Sequence, residues 1–309
     1  MIRLSEEYLS VFYDHLHRKI YDFDVIGADE TPVEVNKDGR PAGSKSYIWV
    51  YRSGGINSTH HIVLYEYQKT RNASHPVRFL KDYEGICVTD GYQVYHSAEK
   101  TLEHVTIAGC WVHARRYFDE ALKIIPQAVR SKSWGYLVMK QIQAIYREEG
   151  KLKDLKTEER LKQRQLVIKP LVDALFAYAK QHQVPVGTQG KLARAVTYLL
   201  NQEKYLRVFL ENGEVPMDNN ASERAIRGFC IGRKNWQLID TIRGAENSAI
   251  IYSIAETAKA NDLKPYEYFE HLLTEIPKHM EDTDRSFLDD LLPWSEKLPK
   301  EIKKTNKRS

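Results

Sequence analysis

The sequence has few cysteines and no long apolar run. Its three cysteines, Cys87, Cys110 and Cys230, are an odd number and include no Cys-x-x-Cys pair. This excludes a disulfide framework and a four-cysteine zinc site. No apolar stretch approaches the roughly 20 residues of a membrane span, and acidic residues within positions 1–20 argue against a signal peptide. We therefore expect a cytoplasmic protein with no membrane partner.

The sequence also lacks an overall excess of positive charge outside its last residues. Residues 297–309 contain six Lys or Arg and one Glu, a net charge of +5, whereas the whole chain carries +4, so residues 1–296 sum to −1. Any nucleic acid bound by the folded part must therefore be held by local basic patches. The composition, with 42% hydrophobic and 28% charged residues, is typical of a globular protein and excludes wholesale disorder.

Hydrophobic periodicity predicts an N-terminal helix, a set of strands and then a long helical block. Alternating or mostly apolar runs indicate strands at 23–29, 46–53, 60–68, 85–89 and 104–110. The first of these is expected to end near Asp29, and the first three are expected to form an antiparallel meander. From about residue 133 to residue 212, apolar residues recur only at helical spacing. The sequence therefore predicts an α/β fold, a mixed sheet flanked by helices and interrupted by an all-helical insertion.

Two aspartates follow apolar strand residues. Ligands of open α/β sheets gather beyond the carboxyl ends of strands, where Asp29 and Asp90 are expected. Carboxylate oxygens are the ligands that Mg²⁺ prefers, and a pair of such ions can stabilise both oxygens of an in-line phosphoryl displacement. The alternative for each residue is turn formation, since Asp29 precedes Glu-Thr-Pro and Asp90 precedes a glycine.

A third acid is expected in the segment MDNNASERAIRG, at Glu223. Glu223 has two alternative explanations that require only a helix and no catalytic role. Asn220 could cap a helix with Glu223 as the acid of a capping box, or Glu223 could pair with Arg227 four residues later.

A basic patch directly follows this acid. Residues 224–234 carry four basic side chains and no acid, and an aromatic residue comes two positions later. Such a patch beside a carboxylate is suited to a phosphate backbone flanking a metal site, and an aromatic ring can stack on an unpaired base. The candidate DNA-binding residues are Arg224, Arg227, Arg233, Lys234 and Trp236.

Several motifs together resemble those of the DDE transposases of the insertion sequence 66 family. They are ADETP with Asp29, TDGY with Asp90, CWVHARRYF, and DNNASERAIRG followed by IGRKNW, and they occur in this order between about residues 25 and 276. The segment LDDLLPW at 288–294 resembles the short C-terminal element of the same family. The resemblance implies a ribonuclease-H-like core in which Asp29, Asp90 and Glu223 are the catalytic, metal-binding acids.

The resemblance also implies a domain organisation. Residues 1–22 would be an N-terminal helix left from a longer N-terminal region, so that the chain is expected to be truncated at its front. The ribonuclease-H-like core would comprise 23–132 and 216–280, separated by the helical insertion 133–215. Residues 281–309 would form a C-terminal element and basic tail.

The segment from Cys110 to His113 contains half of a zinc signature. Because no second half occurs at suitable spacing, the sequence argues against a zinc site. The segment resembles a Cys-x-x-His motif that follows the second acid in DDE transposases with helical insertions. This resemblance implies that Cys110 and His113 help to order the catalytic site. Plain packing of a buried Cys110 is the alternative.

The implied activity is Mg²⁺-dependent cleavage of DNA at the ends of an insertion sequence, followed by strand transfer into a target. Two Mg²⁺ ions are implied, for which Mn²⁺ would substitute. The implied partners are element ends and target DNA, a second copy of the chain, and accessory proteins of the same element, at a bacterial nucleoid. Two alternatives remain: a catalytically silent DNA-binding or assembly remnant, and a ribonuclease-H-like nuclease without strand transfer.

Overall fold

The fold is built on one mixed sheet. The computed structural model describes residues 2–41, 43–185, 188–236 and 239–304, without the side chains of 233–236. Within these ranges the sheet has the order β3-β2-β1-β4-β5, and β6 pairs with the far end of β1. The strands are β1 (Val25–Lys37), β2 (Lys45–Ser53), β3 (Val63–Gln68), β4 (Gly85–Thr89), β5 (Val105–Gly109) and β6 (Ile239–Thr241).

Strand directions divide the sheet into two parts. β1, β2 and β3 are antiparallel neighbours, which confirms the predicted meander. β4 runs parallel to β1, and β5 runs parallel to β4. Parallel neighbours need crossover connections, and the short helices between β3 and β5 provide them. The predicted mixed sheet with flanking helices is thus confirmed.

The predicted end of the first strand near Asp29 is wrong, because β1 continues to Lys37. Its pairing with β2 extends to Glu34 and Lys45, and this ladder keeps the backbone extended. Only the pairing with β4 stops early, since the last recorded pair is Gly27 with Val88. Asp29 therefore lies inside a strand whose β4 side is no longer paired.

Helices lie on both sides of the sheet and follow its strands. Those outside the helical block are α1 (Ile2–Leu4), a π-helical segment (Ser5–Leu9), α2 (Ser10–Lys19), α3 (Ser74–Phe79), α4 (Gln93–Glu99), α5 (Trp111–Lys123) and α6 (Gln127–Arg130). After the block come α12 (Asn220–Trp236), α13 (Ile242–Ala260), α14 (Pro265–Glu275) and α15 (Phe287–Asp290). Pro265 stands at the start of α14, where its missing N–H costs nothing.

The described residues between 133 and 215 form helices and no strand, as the periodicity predicts. The block connects β5 and α5 to α12. Its helices are α7 (Trp134–Gly150), α8 (Thr157–Gln163) with a π-helical continuation (Arg164–Ile168), α9 (Lys169–Gln181), α10 (Lys191–Asn201) and α11 (Glu203–Arg207).

Three apolar clusters hold these layers together. One lies between a face of the sheet and helices α2, α13 and α14, around Tyr51 and Phe12. The second joins α5 to the helical block around Trp111. The third lies between the opposite sheet face and helices α12 and α13, and it includes Val33 of β1. Because side chains alternate along a strand, Asp29 projects to the same face as Val33, the face that α12 covers.

Candidate active site

Asp29 and Asp90 lie at the same level on neighbouring strands. Each stands two residues beyond the paired residues Gly27 and Val88 of the parallel strands β1 and β4. The charge of Asp90 contributes to the raised pKa of Asp29, so the two carboxylates lie within electrostatic range of each other. Cys110 lies at the same level directly after β5, because it follows Gly109, the partner of Thr89. The parallel half of the sheet therefore brings together three side chains from distant parts of the chain.

Backbone hydrogen bonds hold both aspartate side chains. The Oδ1 atom of Asp29 accepts the N–H of Glu30 at 2.9 Å, and the Oδ1 atom of Asp90 accepts the N–H of Tyr92 at 2.9 Å. The bond at Asp90 is the turn-forming bond that was the alternative to a catalytic role. Each bond uses only one carboxylate oxygen, so turn formation and metal binding are compatible.

The pKa of Asp29 reflects its burial and the acids around it. Burial raises the pKa of this carboxyl from 3.8 to about 7, and the charge of Glu30 adds to the rise. The charges of Asp90 and Glu223 raise it further, which places both acids within electrostatic range of Asp29. A divalent cation would relieve this repulsion, so the donor set is suited to one.

This crowding predicts a pH-dependent effect of Asp29→Asn. Between pH 4 and pH 7 the folded chain binds more protons at Asp29 than the unfolded chain, so this group lowers stability as the pH rises. Without divalent ions, we expect Asp29→Asn to raise the melting temperature by about 2–5 °C at pH 8 and to leave it unchanged near pH 4. Circular dichroism melts in EDTA measure this, and equal melting of both proteins at pH 8 would contradict it.

The first turn of α12 carries Glu223 and is fixed directly onto β1. The Nδ2 atom of the buried Asn219 donates to the Ala28 carbonyl at 2.7 Å. A Cβ atom at Gly27 would collide with Ser222 Oγ and would lie 2.9 Å from Asn219 Oδ1. The glycine thus permits a close approach of strand and helix beside Asp29.

Neither helical role proposed for Glu223 accounts for its position. A capping-box glutamate accepts the N–H at the start of its own helix. Here the N–H of Asn219 donates to Cys110 Sγ at 3.3 Å, and the N–H of Asn220 donates to Asp218 Oδ1 at 3.0 Å. Among the described residues Glu223 also forms no ion pair with Arg227. Its carboxylate therefore remains available to a ligand.

Cys110, His113 and Glu223 converge on one point. One potential ligand atom from each lies within 4.8 Å of the others, the only such set of three Cys, His, Asp or Glu side chains in the described part of the chain. Burial raises the pKa of the Cys110 thiol to about 11, although backbone N–H groups of Asn219, His113 and Val112 oppose this. The acids Asp29, Asp90 and Glu223 do not form such a set, so at least two of these three described carboxylates lie more than 4.8 Å apart.

Arg224 and Arg227 are exposed on α12 beside this site. The side chains of Arg233, Lys234 and Trp236 lie outside the described residues. The structure adds Arg52, whose pKa is lowered by burial and by the neighbouring charge of Arg224. Arg52 lies on the same face of β2 as the buried Ile48 and Val50, and nothing in the sequence singled it out.

An ion pair between the buried Glu30 and the half-buried Arg71 contacts the residue that binds Asp90. Glu30 is almost fully buried and accepts Arg71 Nε at 2.8 Å and the Tyr95 hydroxyl at 2.5 Å. The Arg71 guanidinium lies 3.7 Å from the ring centre of Tyr92, whose backbone N–H binds Asp90. Sequence reasoning missed this network, because its members are spread over about 65 residues.

In the described part of the chain, no helix combines the length and the hydropathy that crossing a bilayer requires. The three cysteines are all free thiols.

Comparison with known proteins identifies the family. The sequence model described as "Transposase IS66 family" matches residues 1–247, and that of the "IS66 C-terminal element" matches residues 253–294. Among the curated relatives are three uncharacterized proteins of Sinorhizobium fredii (strain NBRC 101917 / NGR234). Protein y4hP is 27% identical over 297 residues, covering 91% of this chain and 52% of its own length.

The other two relatives give the same result. Protein y4qI is 26% identical over 93% of this chain and 53% of its own length, and y4jD is 26% identical over 93% of this chain and 57% of its own length. The chain therefore spans about half the length of the curated relatives it matches. With matches to both sequence models along nearly its whole length, the chain belongs to the IS66 family of transposases and carries the IS66 C-terminal element.

Proposed function

We propose that the chain is the catalytic region of a DDE transposase with a ribonuclease-H-like core, in which Asp29, Asp90 and Glu223 are the catalytic acids. The observation that carries the proposal is the placement of two aspartates at one level on adjacent parallel strands, with Glu223 delivered by the helix that covers them. Membership of a transposase family supports the same reading.

The residues fit divalent cations. The site offers carboxylate oxygens, and burial together with the charges of Glu30, Asp90 and Glu223 raises the pKa of Asp29 to about 7. Two Mg²⁺ ions, or Mn²⁺ in their place, would supply a nucleophile deprotonated near neutral pH and would stabilise the leaving oxygen. Asp29 and Asp90 would hold them on rigid strands, while Glu223 would complete the site from α12. Cys110 and His113 would order it through their contacts with the start of α12.

The reaction consists of two in-line displacements on phosphorus. In the first, water attacks a phosphodiester at the element end, the P–O3′ bond breaks, and a 3′-hydroxyl and a 5′-phosphate result. In the second, that 3′-hydroxyl attacks a target phosphodiester and displaces the target's own 3′-oxygen. Neither step needs a nucleophile from the protein, because water and the DNA end supply it. The protein's task is positioning and charge stabilisation.

The basic residues of α12 are proposed as contacts to the DNA backbone. Arg224 and Arg227 are exposed beside the acids, and Arg233 and Lys234 follow on the same helix, with Trp236 as a base-stacking residue. A second copy of the chain and accessory proteins of the element would complete the assembly at the nucleoid. The proposed core comprises 23–132 and 216–280, with 133–215 as the insertion.

This interface predicts a change in salt dependence. Arg227→Ala and Lys234→Ala should each weaken DNA binding and reduce the slope of log K against log salt by about 1, since each loses one phosphate contact. Fluorescence anisotropy from 50 to 300 mM salt, roughly the range in which such contacts are lost, measures the slope. Lys153→Ala, exposed in the helical block, is the matched control. An unchanged slope in both α12 variants would refute the interface.

A plasmid assay separates the proposal from its alternatives. The full chain is incubated with supercoiled plasmid in Mg²⁺ or in EDTA. Nicking that needs Mg²⁺ supports an enzyme, whereas binding without nicking supports the silent DNA-binding remnant. Joined products between a pre-cleaved end and a target then distinguish a transposase from a nuclease that lacks strand transfer.

A further inference from the structure

Cys110, His113 and Glu223 come from separate elements and meet at one point. Cys110 lies between β5 and α5 as the N-cap residue of α5, His113 lies in the first turn of α5, and Glu223 lies in the first turn of α12. Their ligand atoms are within 4.8 Å of one another. In a tetrahedral site with bonds of about 2.0–2.3 Å, ligand atoms lie roughly 3.3–3.8 Å apart. Side-chain shifts of about 1 Å would therefore close the site.

The three side chains are free for a ligand. Among the described residues, neither ring nitrogen of His113 is engaged in a hydrogen bond, and its Nδ1 atom is buried. A buried polar atom without a partner costs free energy, which coordination would recover. The Sγ atom of Cys110 accepts the N–H of Asn219 at 3.3 Å, an interaction typical of the surroundings of a metal-bound thiolate.

We propose that these three residues bind a thiophilic divalent cation of the Zn²⁺ class, with water as the fourth ligand. Thiolate, imidazole and carboxylate suit Zn²⁺, whereas Mg²⁺ prefers oxygen ligands only. Binding releases the thiol proton of Cys110 to solvent. No second half of the zinc signature is visible in the sequence, because the third ligand is 110 residues away from His113 and only the fold brings it close.

The site has a consequence that rests on the proposed function. Glu223 would belong both to this site and to the acidic triad with Asp29 and Asp90. An ion held by Cys110 and His113 would therefore draw the carboxylate away from the aspartates. Zn²⁺ is expected to inhibit Mg²⁺-dependent cleavage, and removal of Zn²⁺ by a chelator is expected to restore it.

Cobalt absorption spectroscopy tests the site without any need for activity. The metal-free full chain is titrated with Co²⁺, and a thiolate ligand gives an intense charge-transfer band in the near ultraviolet. We expect the band to reach its plateau at one equivalent in the wild type and in Cys230→Ser, the half-buried control cysteine on α12. Cys110→Ser is expected to lose the band. Absence of the band in the wild type, or its persistence in Cys110→Ser, would overturn the proposal.

Two further variants guard against misfolding of Cys110→Ser. His113→Gln and Glu223→Gln retain the cysteine and are expected to weaken Zn²⁺ binding by at least tenfold, since loss of even an outer-shell partner costs about 10–100-fold. Affinities like that of the wild type in both would overturn the site. If Zn²⁺ binds but leaves the rate of nicking unchanged in the plasmid assay, Glu223 does not belong to both the Zn²⁺ site and the acidic triad. If the chain never nicks DNA, the proposed function fails, while the cobalt spectrum still decides the metal site.

Discussion

Asp90→Asn is expected to reduce Mg²⁺-dependent nicking of supercoiled plasmid by at least about 10³-fold, because it removes one of two adjacent carboxylates that would hold the ions. The amide is nearly isosteric and retains the oxygen that accepts the Tyr92 N–H, so the turn after β4 should persist. Initial rates of nicking in Mg²⁺, with the melting temperature measured on the same preparations, give the result.

The control for this variant is Asp154→Asn, an exposed aspartate of the helical block. It carries the same change of charge and should nick DNA at the wild-type rate. Asp90→Asn that folds normally and still nicks at the wild-type rate would contradict the acidic triad. Loss of activity in both variants would point to a general effect of charge on DNA binding instead.

Arg160→Leu is expected to destabilise the chain by about 3–5 kcal/mol, the typical cost of disrupting a buried charge network. Arg160 is completely buried in α8. Its guanidinium donates to the carbonyl oxygens of Leu152, Lys153, Leu155 and Gly213 and to Asn57 Oδ1. Leucine fills part of the volume but leaves these acceptors without a donor in a place that water does not reach.

The expected result is a fall in melting temperature of roughly 10 °C, or loss of soluble protein. Thermal and urea denaturation of the purified full chain measure it. Arg147→Leu on α7 is the matched control, because its side chain is 71% exposed and its loss should change stability by less than about 0.5 kcal/mol. If Arg160→Leu and the wild type have the same melting temperature, the carbonyl oxygens around residue 160 do not need the guanidinium as a donor.

The pattern of apolar residues was sufficient for much of the fold. Period-two runs located the strands of the meander, and period-3.6 runs located the helices of the block. It failed at the end of β1, where the exposed Glu34 and Asn36 alternate with the buried Val33 and Val35. That alternation is itself typical of a half-buried strand, although the segment contains no continuous apolar run.

The candidate site was predictable only in part. Asp29 and Asp90 could be selected because each follows apolar strand residues, although their catalytic role remains a prediction. Arg52 and the pair of Glu30 with Arg71 carried no usable signal. A lone charged residue in a strand is ordinarily solvated, and only its neighbours in space show otherwise.

Most local structures, the family and the residue types that could bind divalent cations follow from the order of the amino acids alone. Which of these residues meet depends on the tertiary fold. Parallel pairing of β1, β4 and β5 sets Asp29, Asp90 and Cys110 at one level, and the close approach of α12 at Gly27 brings in Glu223. Local sequence cannot encode such distances, because they depend on strand register and helix packing between segments more than a hundred residues apart.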